Sequence, residues 1–275
     1  MQTITLYERV VLRRSAGLSL QLPGSPVQPN DKNTAIKAAL AFFHYTGLLA
    51  GVDIIIHKNT PVRAGMAGGS ADAAAVLVGL NALYGAKLSM SELCALGAGI
   101  GADVPFALMG GTCRVQGVGD VIKALPPVPD CWFTVVMPDY GVSTPEAFAA
   151  YDTVGSSTHP DCEAQEAAIR AGDLDAVCAA AGNALEECSG AKDNEAIKAL
   201  LRAHAEHCRA AAGHQGSDSA VLFQRGLDGL VVSGTAAFLQ CVACGGTHTC
   251  QILGADRLFL GFAVGVGAAA HFVIS

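Results

Sequence analysis

One stretch constrains this chain more than any other. Between the β-branched run Val52–His57 and the small helix formers Ala71–Tyr84 it reads Pro61-Val62-Arg63-Ala64-Gly65-Met66-Ala67-Gly68-Gly69-Ser70. Glycines 65, 68 and 69 leave no Cβ in the way and can take φ > 0, so the backbone can come close to a bulky anion. Successive amides of such a turn point inward and form an anion-binding concavity. Ser70 then opens a helix whose first amides have no partner within the helix and whose dipole is positive at that end. The three effects converge where a polyphosphate would sit. The plainer reading, a glycine-rich turn that merely leads into a helix, is the one a lone pair of glycines would deserve. The turn is not a Walker A loop, since no Gly-Lys-Ser/Thr occurs. Nor is it a dinucleotide fingerprint: the glycine spacing differs, and the preceding strand ends several residues too early.

Composition says what such a turn is embedded in. Of 275 residues, 51% are hydrophobic and 15% charged, against a usual charged share of about 25%. Much of the chain must be buried, as one large domain or two modest ones. The formal net charge of -7 offers no long-range attraction to nucleic acid or anionic lipid. A local pocket of amides can still bind an anionic metabolite. Ten cysteines occur, but Met1 is not followed by a basic and then an apolar secretory region. The thiols are therefore read as reduced and the chain as cytoplasmic. Leu258–Ser275 is uncharged and reaches about the lower length limit of a membrane span, roughly 17 residues. Its three glycines favour a buried strand and turn over a tail anchor.

The remaining pattern mixes helices and strands without strict alternation, which favours an α+β fold. Thr3–Leu6, Val10–Leu12 and the alternating Leu18–Leu22 read as strands. Thr34–Tyr45 reads as a helix capped by Asn33 or Thr34, with Ile36, Ala39, Leu40 and Phe43 on its apolar face. Ser89–Ile100 is a helix with a Ser89/Glu92 capping box. Strands follow around Cys113–Val118 and Cys131–Met137, and helices at Pro145–Tyr151, Glu163–Cys188 and Asn194–His207. Three prolines in Pro126–Asp130 mark a domain boundary, giving domains 1–125 and 126–275, the second atypical after about 208.

The motif Pro-x-x-x-Gly-x-x-Gly-Gly-Ser-x-Asp-Ala-Ala-Ala over Pro61–Ala75 resembles the central nucleotide motif of the GHMP kinases. Gly79-Leu-Asn81-Ala-Leu-Tyr84, Leu88–Leu93, Gly101-Ala-Asp103-Val-Pro105-Phe106, and Gly110-Gly-Thr112 with Gly117-Val-Gly119 extend the likeness. They point to the branch that phosphorylates a cytidine-diphosphate-linked methylerythritol. The likeness runs from Met1 to about Leu201. It implies the GHMP kinase fold: an N-terminal ribosomal-S5-like α/β domain that binds ATP, and a C-terminal ferredoxin-like α+β domain. It implies ATP as cofactor, held by residues Pro61 to Ser70 and Ala71, with Mg²⁺ bridging the phosphates and Ser70 as a contact for it or as a helix cap. Asp103, which by itself would read as a turn or cap residue, matches the family's catalytic aspartate. Phosphoryl transfer to an alcohol needs a carboxylate near the hydroxyl proton. Gly141–Phe148 resembles the segment that touches cytidine. Thr144 would hydrogen-bond the ligand and Phe148 stack on the base, where composition alone suggests a cap and a core aromatic. The partner is then a small-molecule substrate, with no nucleic acid, no membrane and no resident protein-held metal; a homodimer is compatible.

Two departures set further expectations. The family opens with Pro-Ala-Lys-Ile-Asn and Gly-Tyr-His segments, which supply a lysine beside the catalytic aspartate; neither occurs here, and Met1 aligns just after them. Asp103 without that cation is expected to be a poor catalyst, and the sheet to lack a strand. The family's second glycine loop is matched by Gly216-Ser217-Asp218-Ser219-Ala220-Val221, where Asp218 puts a Cβ and a negative charge beside the phosphates. Beyond Phe223 the likeness ends. Cys241, Cys244, His248 and Cys250 fall within ten residues, but the spacing is too tight for easy tetrahedral closure, and unrelated buried thiols are the better reading.

Overall fold

The computed structural model describes residues 1–4, 6, 8–60, 66–129, 134–137, 144–157 and 159–185, together with the strand segments 222–224, 249–254, 262–263 and 273–274. The first sheet is built on alternation. Its strands β1 (Arg9–Ser15), β2 (Leu18–Gln21) and β3 (Gly51–His57) place Val10 opposite Ile56, and Leu12 and Leu20 on either side of Ile54. In β3, Val52, Ile54 and Ile56 are fully buried while Asp53, Ile55 and His57 are not, the period of two that a one-faced strand gives. Of Thr3–Leu6, expected as a strand, the described residues Thr3, Ile4 and Leu6 do not join this ladder. Thr3 instead bonds the Gly111 carbonyl at 2.9 Å, and only Gln2 forms an isolated bridge, to Thr112.

Helices cover one face of the sheet. Helix α1 (Thr34–Thr46) is capped by Asn33, whose side chain accepts from the Ala35 amide, and ends at Gly47 in the left-handed conformation. Its buried residues are Ala35, Ala38, Ala39 and Phe42, whereas Leu40 is 52% exposed. The expected apolar face is thus rotated by about one position. Small residues win the inner position because α1 packs against the alanine-rich α2 (Gly68–Tyr84), and two small-residue faces approach most closely. Ile36 and Phe43 stay at the margin of the same core. At the C-terminal end of α2 the Tyr84 hydroxyl donates to the Gly51 carbonyl at 2.5 Å. Arg14 donates to the Leu83 carbonyl at 2.6 Å and lies over the Tyr84 ring. That end is tied to the sheet.

Helix α3 (Met90–Ala98) carries both arms of the expected Ser89/Glu92 capping box. Helix α4 (Val104–Met109) follows Asp103, and an antiparallel hairpin, β4 (Thr112–Gln116) and β5 (Val121–Leu125), follows α4. Cys113 on β4 is buried and gives its thiol to the Gly110 carbonyl at 3.5 Å; burial pushes the thiol's pKa up. Next come β6 (Thr134–Met137) and α5 (Thr144–Val154). Where one helix was expected over Glu163–Cys188 there are two, α6 (Cys162–Ala171) and α7 (Leu174–Ala179). Gly172 at φ 68 ends the first, and Asp173 starts the second by accepting from the Ala176 amide. The last strands are β7 (Leu222–Gln224), β8 (Thr249–Gly254), β9 (Phe262–Ala263) and β10 (Val273–Ile274). Strands β6 to β9 form a second four-stranded sheet in the order β7-β6-β8-β9, and β10 pairs in parallel with β1.

Mixed helix and strand without strict alternation bears out the α+β expectation. Contacts cross the proline-rich segment after 125: Leu125 and Val128 pack with Ala168, Ile169 and Val177. No helix among the described residues is long and apolar enough to cross a membrane. The expected helix at Asn194–His207 lies outside them.

Candidate active site

Helix α2 begins at Gly68, so Ser70 is its third residue and not its cap. The capping position belongs to Ala67, which takes the left-handed conformation at φ 52. That is a correction: among the described turn residues the left-handed position falls to an alanine, at a cost of about 1–2 kcal/mol. Gly68 and Gly69 are helical and serve by being small. A Cβ on Gly68 would lie 2.7 Å from the Thr60 hydroxyl oxygen, 3.3 Å from Glu8 Oε1 and 3.4 Å from Lys58 Nζ. The Gly69 carbonyl accepts from the Thr34 hydroxyl at 2.6 Å, which fixes this first turn against α1. The amides of Ser70 and Ala71 both reach back to the Ala67 carbonyl, at 3.0 and 2.9 Å. Pro61, Val62, Arg63, Ala64 and Gly65 lie outside the described residues, while Met66, Ala67, Gly68, Gly69, Ser70 and Ala71 lie within them.

The Asp103 turn is brought to the same place. A Cβ on Gly101 would stand 4.0 Å from the Ser70 hydroxyl oxygen, so the Gly101–Asp103 turn runs beside the first turn of α2. Asp103 occupies the capping position of α4 but makes no cap hydrogen bond. Its Oδ1 is buried and has no hydrogen-bond partner. Burial raises its pKa to about 7. Among the described residues no cation pairs with it. A carboxylate so placed is poised to hold a proton near neutrality, the property a general base for an alcohol requires. The β4–β5 hairpin supports the turn from outside: a Cβ on Gly119, which sits at φ 103, would lie 2.5 Å from the Ala102 carbonyl oxygen.

Beneath the α2 terminus lies a charged cluster that sequence reading missed. Lys58, just past β3, places Nζ 2.7 Å from Glu8 Oε1 and 2.9 Å from Asp72 Oδ2; all three side chains are under 10% exposed. Glu8 also accepts from the Asn59 amide at 2.6 Å and from the Thr60 hydroxyl. Burial lifts Asp72 to about 6, with Lys58 opposing. Burial acts to lower Lys58, yet Asp72 and Glu8 together hold it above the ordinary lysine value. The one available signal was that a lysine and an aspartate stand at the edges of strongly apolar segments in a charge-poor chain. Glu8 is 50 residues away from Lys58, and nothing local points to it.

Thr144 begins α5, and its side chain lies outside the described set; Phe148, one turn on, is half-buried. The second glycine stretch, Gly216 to Val221, lies outside the described residues, as do Cys241, Cys244, His248 and the side chain of Cys250. No group of three or more His, Cys, Asp or Glu that could hold a metal occurs among the described residues.

The family model described as GHMP kinases N terminal domain matches residues 33–111, which contain both turns. A 4-diphosphocytidyl-2-C-methyl-D-erythritol kinase of Carboxydothermus hydrogenoformans is 45% identical over 166 residues, 59% of this chain and 57% of its own length. The match thus spans little more than half of that protein. The enzyme of the same name from Moorella thermoacetica is 41% identical over 67% of this chain and 66% of its own. A Staphylococcus saprophyticus relative, given that kinase name provisionally, is 35% identical over 88% of this chain and 80% of its own. A crystal structure of 4-(cytidine 5'-diphospho)-2C-methyl-D-erythritol kinase superposes with a TM-score of 0.54 at 30% identity, covering 87% of this chain and 78% of that one.

Proposed function

The chain belongs to the 4-diphosphocytidyl-2-C-methyl-D-erythritol kinase family of GHMP kinases, and we propose that it uses ATP to phosphorylate the 2-hydroxyl of that cytidine-linked erythritol, in the non-mevalonate route to isoprenoid precursors. One observation carries this reading. The Gly101–Asp103 turn runs beside the N-terminal turn of α2, and the Oδ1 of Asp103 is buried there without a hydrogen-bond partner. The amides of Gly68 and Gly69 are suited to hold phosphate oxygens, and Asp103 to take the proton as the substrate oxygen attacks the γ-phosphorus and the bond to ADP breaks.

Mg²⁺ fits the residues present. Such an ion travels mainly on the nucleotide's own phosphates and needs only one or two protein oxygens. The Ser70 hydroxyl would meet it at the first turn of α2. When bound it would neutralise charge on the transferred group. Thr144 and Phe148 on α5 are the residues proposed to hold the cytosine, by hydrogen bond and by stacking.

A second reading, a nucleotide binder with impaired catalysis, draws on the absence of any cation at Asp103 among the described residues. ADP release from ATP with the cytidine-linked substrate decides between them. Turnover with this substrate, and none with homoserine, supports the kinase. Nucleotide binding without turnover supports the binder, and turnover with homoserine alone assigns the chain to a different GHMP activity.

A further inference from the structure

The Glu8–Lys58–Asp72 cluster touches no reacting atom in the mechanism above, yet it lies directly under the turn meant to hold the nucleotide. Its three members come from three places in the chain: Glu8 just before β1, Lys58 just after β3, and Asp72 five residues into α2. Lys58 is the joint, with 2.7 and 2.9 Å contacts to the two carboxylates. Gly68 rests on this joint so closely that a Cβ there would sit 3.4 Å from Lys58 Nζ and 2.7 Å from the Thr60 hydroxyl. The amides that would bind phosphate, those of Gly68 and Gly69, therefore inherit their position from the cluster. Amide–phosphate hydrogen bonds tolerate only a few tenths of an ångström of misplacement, so what fixes this floor also sets the affinity above it.

We infer that Lys58 is a positioning residue for the nucleotide phosphates: by tying the β1 lead-in and the end of β3 to the first turn of α2 it holds the Gly68 and Gly69 amides in register. This rests on the proposal that the turn binds ATP. A buried lysine between two carboxylates suits the task better than an apolar filler. Its contacts are directional, and losing the lysine leaves two buried carboxylates uncompensated, whereas losing one carboxylate leaves a balanced pair with one tie cut. Asp72 and Glu8 share the work, so the ties to α2 and to β1 can be cut separately.

The test is steady-state kinetics of the full chain carrying Asp72→Asn, Lys58→Met and Lys58→Arg, with direct binding of Mg·ATP followed by thermal shift. Asp72→Asn keeps shape and one hydrogen bond but removes the ionic tie to α2. It is expected to raise the KM for ATP about fivefold or more, with kcat at saturating ATP and the KM of the second substrate within about twofold. Lys58→Met should act in the same direction and more strongly, and Lys58→Arg should recover most of the affinity. If Lys58→Met does not fold, the isosteric Asp72→Asn decides alone. An ATP KM that stays within twofold in Asp72→Asn overturns the inference, as does a loss of kcat with that KM unchanged. Wild-type chain that shows no Mg·ATP binding overturns the nucleotide reading and this inference with it; wild-type binding that Asp72→Asn leaves intact overturns the inference alone.

Discussion

Asp103 carries the sharpest residue-scale consequences. Burial holds its carboxyl near 7, well above an ordinary aspartate at about 4. Its folded-state pKa is thus raised, so the folded state favours the protonated form. The associated stability is full at acid pH and is lost as pH rises through about 7. Asp103→Asn removes that cost. Its melting temperature should exceed that of wild type, by a margin that widens between about pH 5 and pH 8. Asp72, raised to about 6, pulls the wild-type profile in the same direction and is untouched by the change. Catalysis runs the other way. A base must be ionised, so kcat/KM should climb as pH rises through about 7, and Asp103→Asn should cost about 100-fold or more in kcat. A melting gain with unchanged turnover would leave Asp103 buried but idle. Sequence made Asp103 a candidate only through its surroundings. Its raised pKa comes from burial, beside a helix start whose Val104, Pro105 and Phe106 are buried, which no spacing rule contains.

At the scale of elements, the hairpin β4–β5 braces the Asp103 turn through Gly119. Alanine there would be strained at φ 103 and would drive its Cβ to 2.5 Å from the Ala102 carbonyl. Gly119→Ala should lose about 1–3 kcal/mol in denaturant unfolding and lower kcat as well, because the carboxylate next to Ala102 moves. The same substitution at Gly111, where a Cβ would meet nothing within 4 Å, should spare turnover. Elements whose signals are local were legible in advance. Asn33 and the Ser89/Glu92 box cap the helices they were expected to cap, and β3 lies where its β-branched run predicts. Elements decided by partners were not. The buried face of α1 is set by the alanines of α2, and the split between α6 and α7 turns on Gly172 and Asp173 inside an otherwise helical run. The glycine turn was recognised by composition, but among its described residues the left-handed one is Ala67, and Gly68 sits where the helix crosses Thr60 and Lys58.

For the whole molecule, the stretch before residue 126 is joined to the stretch after it by charge as well as by the apolar contact of Leu125 with Ile169. Glu166 of α6 accepts from Lys123 at 2.7 Å, from Arg170 at 2.8 Å and from Arg114 at 3.3 Å, while Arg114 also reaches Glu163 at 2.6 Å. The hydrogen bonds from Lys123 and then Arg170 pull the Glu166 carboxyl down to about 2. A depressed carboxylate stabilises above its unfolded pKa and loses that contribution as pH falls through the folded one. Glu166→Gln should therefore lower the melting temperature at neutral pH and low salt. The deficit should shrink with added salt, and again as pH falls from about 4.5 toward 2. A deficit that ignores both would mean that Glu166 acts by packing. The prolines after 125 suggested a boundary; a network built from β4, β5 and α6 could not be seen until the fold placed them together. Cys113 offers a way to watch the hairpin in solution. Its thiol, enclosed against Gly110, can meet an alkylating reagent only in the instants when β4 lifts away. The slow modification of Cys113 in folded protein, followed by peptide mass, becomes a clock for how often the support behind Asp103 comes undone. A ligand that quiets the site should make that clock run slower.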